Sequence, residues 1–176
     1  ITGGEITLEN VRPFDLIPVE AKLTEMGCTL YDDKTRVHLK APQRLRTFSA
    51  LQTQPHPGFP TDMQAQMMAL CCVAKGTGVI VENVFESRFG HVSDLNRMGA
   101  RIRVNGRVAV IEGVKKLHGQ SVCARDLRGG AALVLAGLAA EGETIIENIH
   151  LIDRGYAGLE KTLGSLHGTV KRICLE

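Results

Sequence analysis

A chain of 176 residues with 44% hydrophobic and 23% charged residues has the composition of one folded domain with a real core, and disorder is excluded. The formal charge of +2, with both signs interspersed, gives no electrostatic case for nucleic acid, and the absence of tryptophan with only 4% aromatic residues removes base-stacking surfaces. No apolar run reaches the length of a membrane span; the longest, Ala131 to Ala140, is broken by Gly137 and followed by Glu141. The five cysteines (Cys28, Cys71, Cys72, Cys123, Cys174) are odd in number and lack C-x-x-C spacing, so they read as reduced, mostly buried thiols of a cytoplasmic protein. His38, His56, His91, His118, His150 and His167 are scattered singly, and no metal site is expected. Because Ile1 is not a natural start, the chain reads as a fragment, with Leu175-Glu176 as an appended tail.

Along the chain one hexamer recurs: ITLENV from Ile6, VIVENV from Val79 and TIIENI from Thr144. Each is an apolar, strand-like run closed by Glu-Asn-aliphatic (Glu9-Asn10, Glu82-Asn83, Glu147-Asn148), the mark of an internal repeat. After each comes an amphipathic helical stretch with a stop: Val19, Leu23 and Met26 before Gly27; Val92, Leu95 and Met98 before Gly99; Leu159, Leu163 and Leu166 before His167-Gly168, where the glycine arrives one position late. The pattern then alternates, with Asp32-Asp33-Lys34 turning the first hairpin and Asn105-Gly106 the second. Thr169 to Ile173 is expected as the corresponding last strand.

Between hairpin and hexamer lie two very apolar helices, expected over Asp62 to Ala74 and Asp126 to Ala140. The first is entered through the stretch His56-Pro57-Gly58-Phe59-Pro60-Thr61-Asp62, where the proline fixes φ and Thr61 or Asp62 stands ready to cap the orphan amides. On local pattern alone Asp62 is a cap. The first copy of the repeat lacks this helix.

The expected fold is therefore α/β: an inside-out domain of three strand-helix-strand-helix-hairpin repeats, over residues 1–45 (truncated), 46–117 and 118–174, with the apolar helices inside and the sheets facing solvent. An ordinary α/β layer fold is the plainer alternative. Apolar surface left bare by the truncated first repeat would favour self-association.

Five charged residues fall at element ends: Asp62 and Asp126 open the apolar helices, Arg128 follows two residues into the second, and Arg88 and Arg154 follow equivalent strands. Arginine forks and helix N-termini together suit a small anionic ligand, with carboxylates to grip hydroxyls. The plainer reading is ion pairing of Arg128 with Asp126, Arg154 with Asp153 and Arg88 with Glu86. Gly129-Gly130 would let a ligand or another backbone approach closely, whereas Gly76-Thr77-Gly78 lacks the spacing of a phosphate loop.

Four ordered motifs, Pro57-Gly58-Phe59-Pro60-Thr61-Asp62-Met63-Gln64-Ala65-Gln66, Phe85-Glu86-Ser87-Arg88-Phe89, Asp126-Leu127-Arg128 and Ile152-Asp153-Arg154-Gly155-Tyr156, make the sequence resemble the carboxy-terminal half of the UDP-N-acetylglucosamine 1-carboxyvinyltransferases, an enolpyruvyl transferase family. The resemblance implies that fold, a peptidoglycan-precursor reaction between UDP-N-acetylglucosamine and phosphoenolpyruvate, and no cofactor. It implies Asp62 as the group on the sugar 3-hydroxyl and the proposed base, Val84 as a backbone contact to the UDP-sugar, and Arg154 as a phosphoenolpyruvate ligand. Arg88, Asp126 and Arg128 match charged cleft residues of the family. The family's reactive cysteine lies in an amino-terminal domain that this chain lacks, so no turnover is expected of the chain alone. The related shikimate-phosphate enolpyruvyl transferases lack the Pro-Gly-Phe-Pro-Thr-Asp-Met-Gln stretch in this form. A non-catalytic scaffold would have lost the charged residues, all of which are present.

Overall fold

The computed structural model describes residues 1–173. Its first unit comprises β1 (Glu5–Glu9), α1 (Ile17–Glu25), β2 (Thr29–Asp32) and β3 (Arg36–Lys40), with β3 lying between β1 and β2 and antiparallel to both. The second comprises β4 (Ala50–Gln52), a 3-10 turn over Thr61–Met63, α2 (Gln64–Val73), β5 (Thr77–Val81), α3 (Val92–Arg97), β6 (Arg101–Asn105) and β7 (Val108–Glu112). Its sheet has the order β4-β5-β7-β6, with β4 parallel to β5 and the other pairs antiparallel. The third comprises β8 (Leu117–His118), β9 (Ser121–Cys123), α4 (Leu127–Ala139), β10 (Ala140–Glu141), β11 (Ile145–Glu147), α5 (His150–Asp153) and α6 (Leu159–Ser165), with β8 parallel to β10 and β9 parallel to β11.

The repeat is one of geometry as well as letters. At the ends of α1 and α3, Gly27 (φ 96°) and Gly99 (φ 95°) adopt the left-handed conformation. The amides of Cys28 and Ala100 then reach back to the carbonyls of Leu23 and Leu95, closing Schellman motifs. At the end of α6 the same bond runs from the Gly168 amide to the Leu163 carbonyl, and His167 takes the left-handed position with φ 65°. The late glycine is explained by this: a Cβ at position 168 would come within 2.9 Å of the Leu163 carbonyl oxygen.

Two expectations shift. The two-residue loop of the second hairpin is Gly106-Arg107, with Asn105 still in its strand opposite Val108 and Gly106 at φ 55°. Thr169 to Ile173 forms no strand; among the described residues nothing pairs with it, and Arg172 instead donates to both carboxylate oxygens of Asp153, at 2.6 and 3.0 Å, and to Glu160. Cys174 lies outside the described residues.

α2 and α4 lie against each other at the centre, where Ala65, Ala69 and Ala132 allow close approach and Ile1 and Leu135 close the edges. The opposite side of α2, with Met67, Met68, Cys71 and Cys72, forms one core with Leu51, Ile80, Ile102, Ala109 and Ile111 from the inner face of the second sheet. Each fully buried Met or Ile there contributes roughly 1.5–3 kcal/mol. Arg101 and Arg103 alternate outward, so helices are inside and sheet faces outside. α6 has no buried residue, and Leu8 on β1 remains 42% exposed on the unit that has no apolar helix of its own. Among the described residues no helix is long and apolar enough to cross a membrane.

Behind α4, His91 is buried with both ring nitrogens unpartnered, its Cβ lying where a side chain on Gly129 would stand. Burial pushes its pKa down from 6.5 to about 4, against the weaker opposing pull of the Asp126 and Asp94 carboxylates. The neutral imidazole is the form that folds. Stability is accordingly full above pH 6.5 and falls as pH drops towards about 4. Between pH 7 and pH 4.5, urea titrations of the chain are expected to lose about 2 kcal/mol that the His91→Phe variant does not lose.

Candidate active site

The approach to α2 is built by short-range bonds. Gly58 N–H donates to the Pro55 carbonyl at 2.8 Å and Gln54 N–H to the Phe59 carbonyl at 2.9 Å, which makes a tight loop with Phe59 buried beneath it. Pro60 is extended (φ −71°, ψ 131°) and occupies the cap position of the 3-10 turn, so no side chain is available to cap there. Asp62 falls inside the turn and caps nothing, contrary to its local pattern.

Its partners come from two other segments. Oδ1 of Asp62 accepts from Arg128 Nε at 2.7 Å and from Arg88 Nη1 at 3.4 Å. Oδ2 accepts no hydrogen bond among the described residues. The Asp62 side chain is 57% exposed, while those of Arg88 and Arg128 are 18% and 33% exposed. The Arg128 hydrogen bond, with the charges of Arg128 and Arg88, holds the Asp62 carboxyl below the usual carboxylate range, and the same bond raises Arg128. Arg88 also stacks its guanidinium 3.9 Å from the centroid of the Phe85 ring, which fixes the fork's orientation.

Asp126 has the role expected of Asp62. Extended at φ −156°, ψ 173°, it accepts the amides of Arg128 at 2.9 Å and Gly129 at 2.8 Å and so caps α4. This cap also fixes the backbone from which Arg128 projects. The close approach expected at Gly129-Gly130 is made by His91 and Ile152, not by a ligand: a Cβ on Gly130 would meet Ile152 Cγ1 at 2.6 Å.

None of the local ion pairs forms through its expected partner. Arg128 pairs with Asp62, Asp153 with Arg172, and Glu86 with Arg107. Arg154 is exposed and has no side-chain partner among the described residues. Its loop is seated at the start of α4 and on α2, because Gly155 packs on Leu127 and Tyr156 Oη accepts from Gln66 Nε2 at 2.9 Å. Val84, 39% exposed, donates its amide to Glu82 Oε1 at 2.9 Å. Asp62, Arg88 and Arg128 thus meet directly, Asp126 supports them from below, and Val84 and Arg154 stand on adjacent loops. Gln66, Tyr156 and Glu82 also build the site, and no local pattern marks them for it, although Gln66 ends the motif that opens at Pro57, Tyr156 ends the one that opens at Ile152 and Glu82 belongs to the repeated Glu-Asn pair.

Among the described residues no group of His, Cys, Asp and Glu is arranged to hold a metal ion. Two guanidiniums and a half-open carboxylate are equipped to orient an anion and accept a hydrogen bond from a hydroxyl.

The family model for EPSP synthase (3-phosphoshikimate 1-carboxyvinyltransferase) matches residues 1–163. The chain is 50% identical over 173 residues to UDP-N-acetylglucosamine 1-carboxyvinyltransferase of Xylella fastidiosa, a match covering 98% of this chain and 41% of that protein. It is 53% identical over 171 residues to the protein of the same name from Desulfofundulus thermocisternus, covering 97% and 70%. The chain thus spans only about two fifths, 41%, of the Xylella relative. Among solved structures, the enolpyruvyl transferase NikO from Streptomyces tendae aligns with a TM-score of 0.81 at 31% identity, over 89% of this chain and 36% of that one. EPSP synthase from Acinetobacter baumannii aligns with a TM-score of 0.65 at 21% identity, a likeness of fold.

The two aspartates are expected to separate in mutagenesis. Asp126→Ala orphans two amides and should lower thermal stability by about 1 kcal/mol, whereas Asp62→Ala should change it by less than about 0.5 kcal/mol. In a carbon-detected carboxyl titration, Asp62 is expected to titrate below a normal aspartate and to move upward in Arg128→Met; an unshifted Asp62 in the unaltered chain would contradict the pairing.

Proposed function

The chain belongs to the EPSP synthase (3-phosphoshikimate 1-carboxyvinyltransferase) family, and from that premise we propose that it is one domain of an enzyme that transfers the enolpyruvyl group of phosphoenolpyruvate to the 3-hydroxyl of UDP-N-acetylglucosamine. The observation that carries this reading is Asp62, held through one oxygen by Arg128 and Arg88 while its other oxygen has no partner among the described residues. The relatives at 50% and 53% identity support UDP-N-acetylglucosamine as the acceptor over shikimate phosphate.

In this reading Asp62 Oδ2 accepts the hydrogen bond of the sugar 3-hydroxyl. A carboxylate depressed by two guanidiniums is a weak base, so it takes the proton only as the hydroxyl oxygen bonds to C2 of phosphoenolpyruvate, while an acid on the facing part of the parent enzyme gives its proton to C3. Loss of a C3 proton with departure of phosphate then gives the enol ether and inorganic phosphate. Arg154, exposed beside the site, binds the carboxylate or phosphate of phosphoenolpyruvate, and Arg88 and Arg128 balance the charge that passes through Asp62. Since the Val84 amide is committed to Glu82, its contact to the UDP-sugar runs through the carbonyl.

The groups that face this site belong to the rest of the parent enzyme, which supplies the second wall of a cleft that closes over the substrates. That remainder, or a second copy of the chain, covers exposed apolar residues such as Leu8 and Leu166. The reaction's place is the making of peptidoglycan precursors for wall growth and division. Among the described residues Cys28, Cys71, Cys72 and Cys123 are unpaired, which supports a cytoplasmic setting.

The test is phosphate release from phosphoenolpyruvate by the chain mixed with the portion of the Xylella enzyme that it does not match. Release is expected with UDP-N-acetylglucosamine, not with shikimate phosphate, and should fall on the order of a hundredfold in Asp62→Ala. A folded, associated mixture without turnover would sink the proposal.

A further inference from the structure

The Glu-Asn pair occurs three times, and only one glutamate is buried. Glu9 and Glu147 are exposed, while Glu82 is 1% exposed. Its Oε1 accepts from Thr53 Oγ1 at 2.8 Å, Val84 N–H at 2.9 Å and Phe85 N–H at 3.1 Å, and its Oε2 accepts from Thr61 Oγ1 at 2.9 Å. Thr53 Oγ1 accepts in turn from the Asn83 amide at 2.9 Å. In the third unit the register of β9 on β11 puts Cys123 opposite Glu147, where the second unit has Thr53 beside Glu82. There the contacts reduce to Asn148 Nδ2 on Cys123 Sγ and a long 3.4 Å bond from Ser121 to Glu147. The backbone responds: Asn10 (φ 58°) and Asn148 (φ 57°) turn left-handed after their exposed glutamates, and Asn83 does not.

We propose that Glu82 is the positioning residue of this site, clamping the loop of Val84, Phe85 and Arg88 to the turn that carries Asp62. The inference rests on the enolpyruvyl-transfer reading for its catalytic consequence. One carboxylate joins three segments: the end of β4 through Thr53, the Asp62 turn through Thr61, and the loop after β5 through two amides. Phe85, so anchored, is the ring on which Arg88 stacks before reaching Asp62. Glu82 touches no reacting atom; it sets the distance between groups that do. A buried carboxylate with four donors has no apolar substitute, because removing it leaves two amides and two hydroxyls without an acceptor.

The experiment compares Glu82→Ala, Glu82→Gln and, as the control from the third unit, Glu147→Ala. In the chain by itself, Glu82→Ala is expected to speed amide exchange at Val84 and Phe85 by about tenfold or more. Glu82→Gln, which keeps the Oε1 acceptor, should stay within about threefold. In the reassembled enzyme, kcat should fall on the order of a hundredfold in Glu82→Ala. It should recover to within about fivefold in Glu82→Gln. Glu147→Ala should behave as the parent throughout. Normal exchange at Val84 and Phe85 in a folded Glu82→Ala chain would overturn the clamp, and loosened amides with unchanged kcat would overturn its role in positioning the site. If the unaltered assembly shows no turnover at all, the enolpyruvyl-transfer reading fails, and the exchange arm still decides whether Glu82 holds the loop.

Discussion

The fold is governed by the need to cover two helices that are apolar on nearly all sides. α2 and α4 cannot lie on a surface, so they pair through small residues, Ala65, Ala69 and Ala132, and β5, β7, β8, β11, α3 and α5 pack on what remains. The sheets do this with one face each, which is why their strands alternate and why charged residues such as Arg101 and Arg103 collect on the outer side. The loops of the candidate site emerge where these helices begin. Asp62 and Asp126 stand at these two starts.

The two positions diverge because of one residue in the approach. Asp126 is free to be extended and turns its carboxylate onto its own helix. Before α2 the cap position is held by Pro60, which has no acceptor, and the aspartate is displaced into the 3-10 turn. There it is bound by Arg128, whose backbone is fixed by the Asp126 cap. One aspartate is thereby structural and the other is left with an oxygen to use.

The periodic features could be read from the letters. The Glu-Asn hexamers, the glycine stops and the apolar helices are local patterns with local causes, and the α/β, inside-out arrangement followed from them. What escaped reading depends on residues far apart in the chain. No spacing rule connects Arg128 with Asp62, Gln66 with Tyr156 or Thr61 with Glu82, and the neighbouring pairings that sequence favours, such as Arg88 with Glu86, lose to them. Thr169 to Ile173 failed for a related reason: alternation describes a strand only when a partner strand lies beside it. Glu82 was visible as a repeated letter, yet its burial was not, because its two sister residues face solvent.

Cys71 and Cys72 sit side by side in α2 with no accessible surface, and burial pushes the Cys72 thiol up to about 12 and Cys71 further in the same direction. Thiolate, the form that attacks an alkylating reagent, is therefore almost absent while the helix pair is closed. Any covalent labelling of these two sulfurs must pass through an opening of the core, and the labelling rate becomes a clock for that opening. The adjacent thiols give the molecule an internal gauge of its own breathing, native to the sequence and read through the reagent alone.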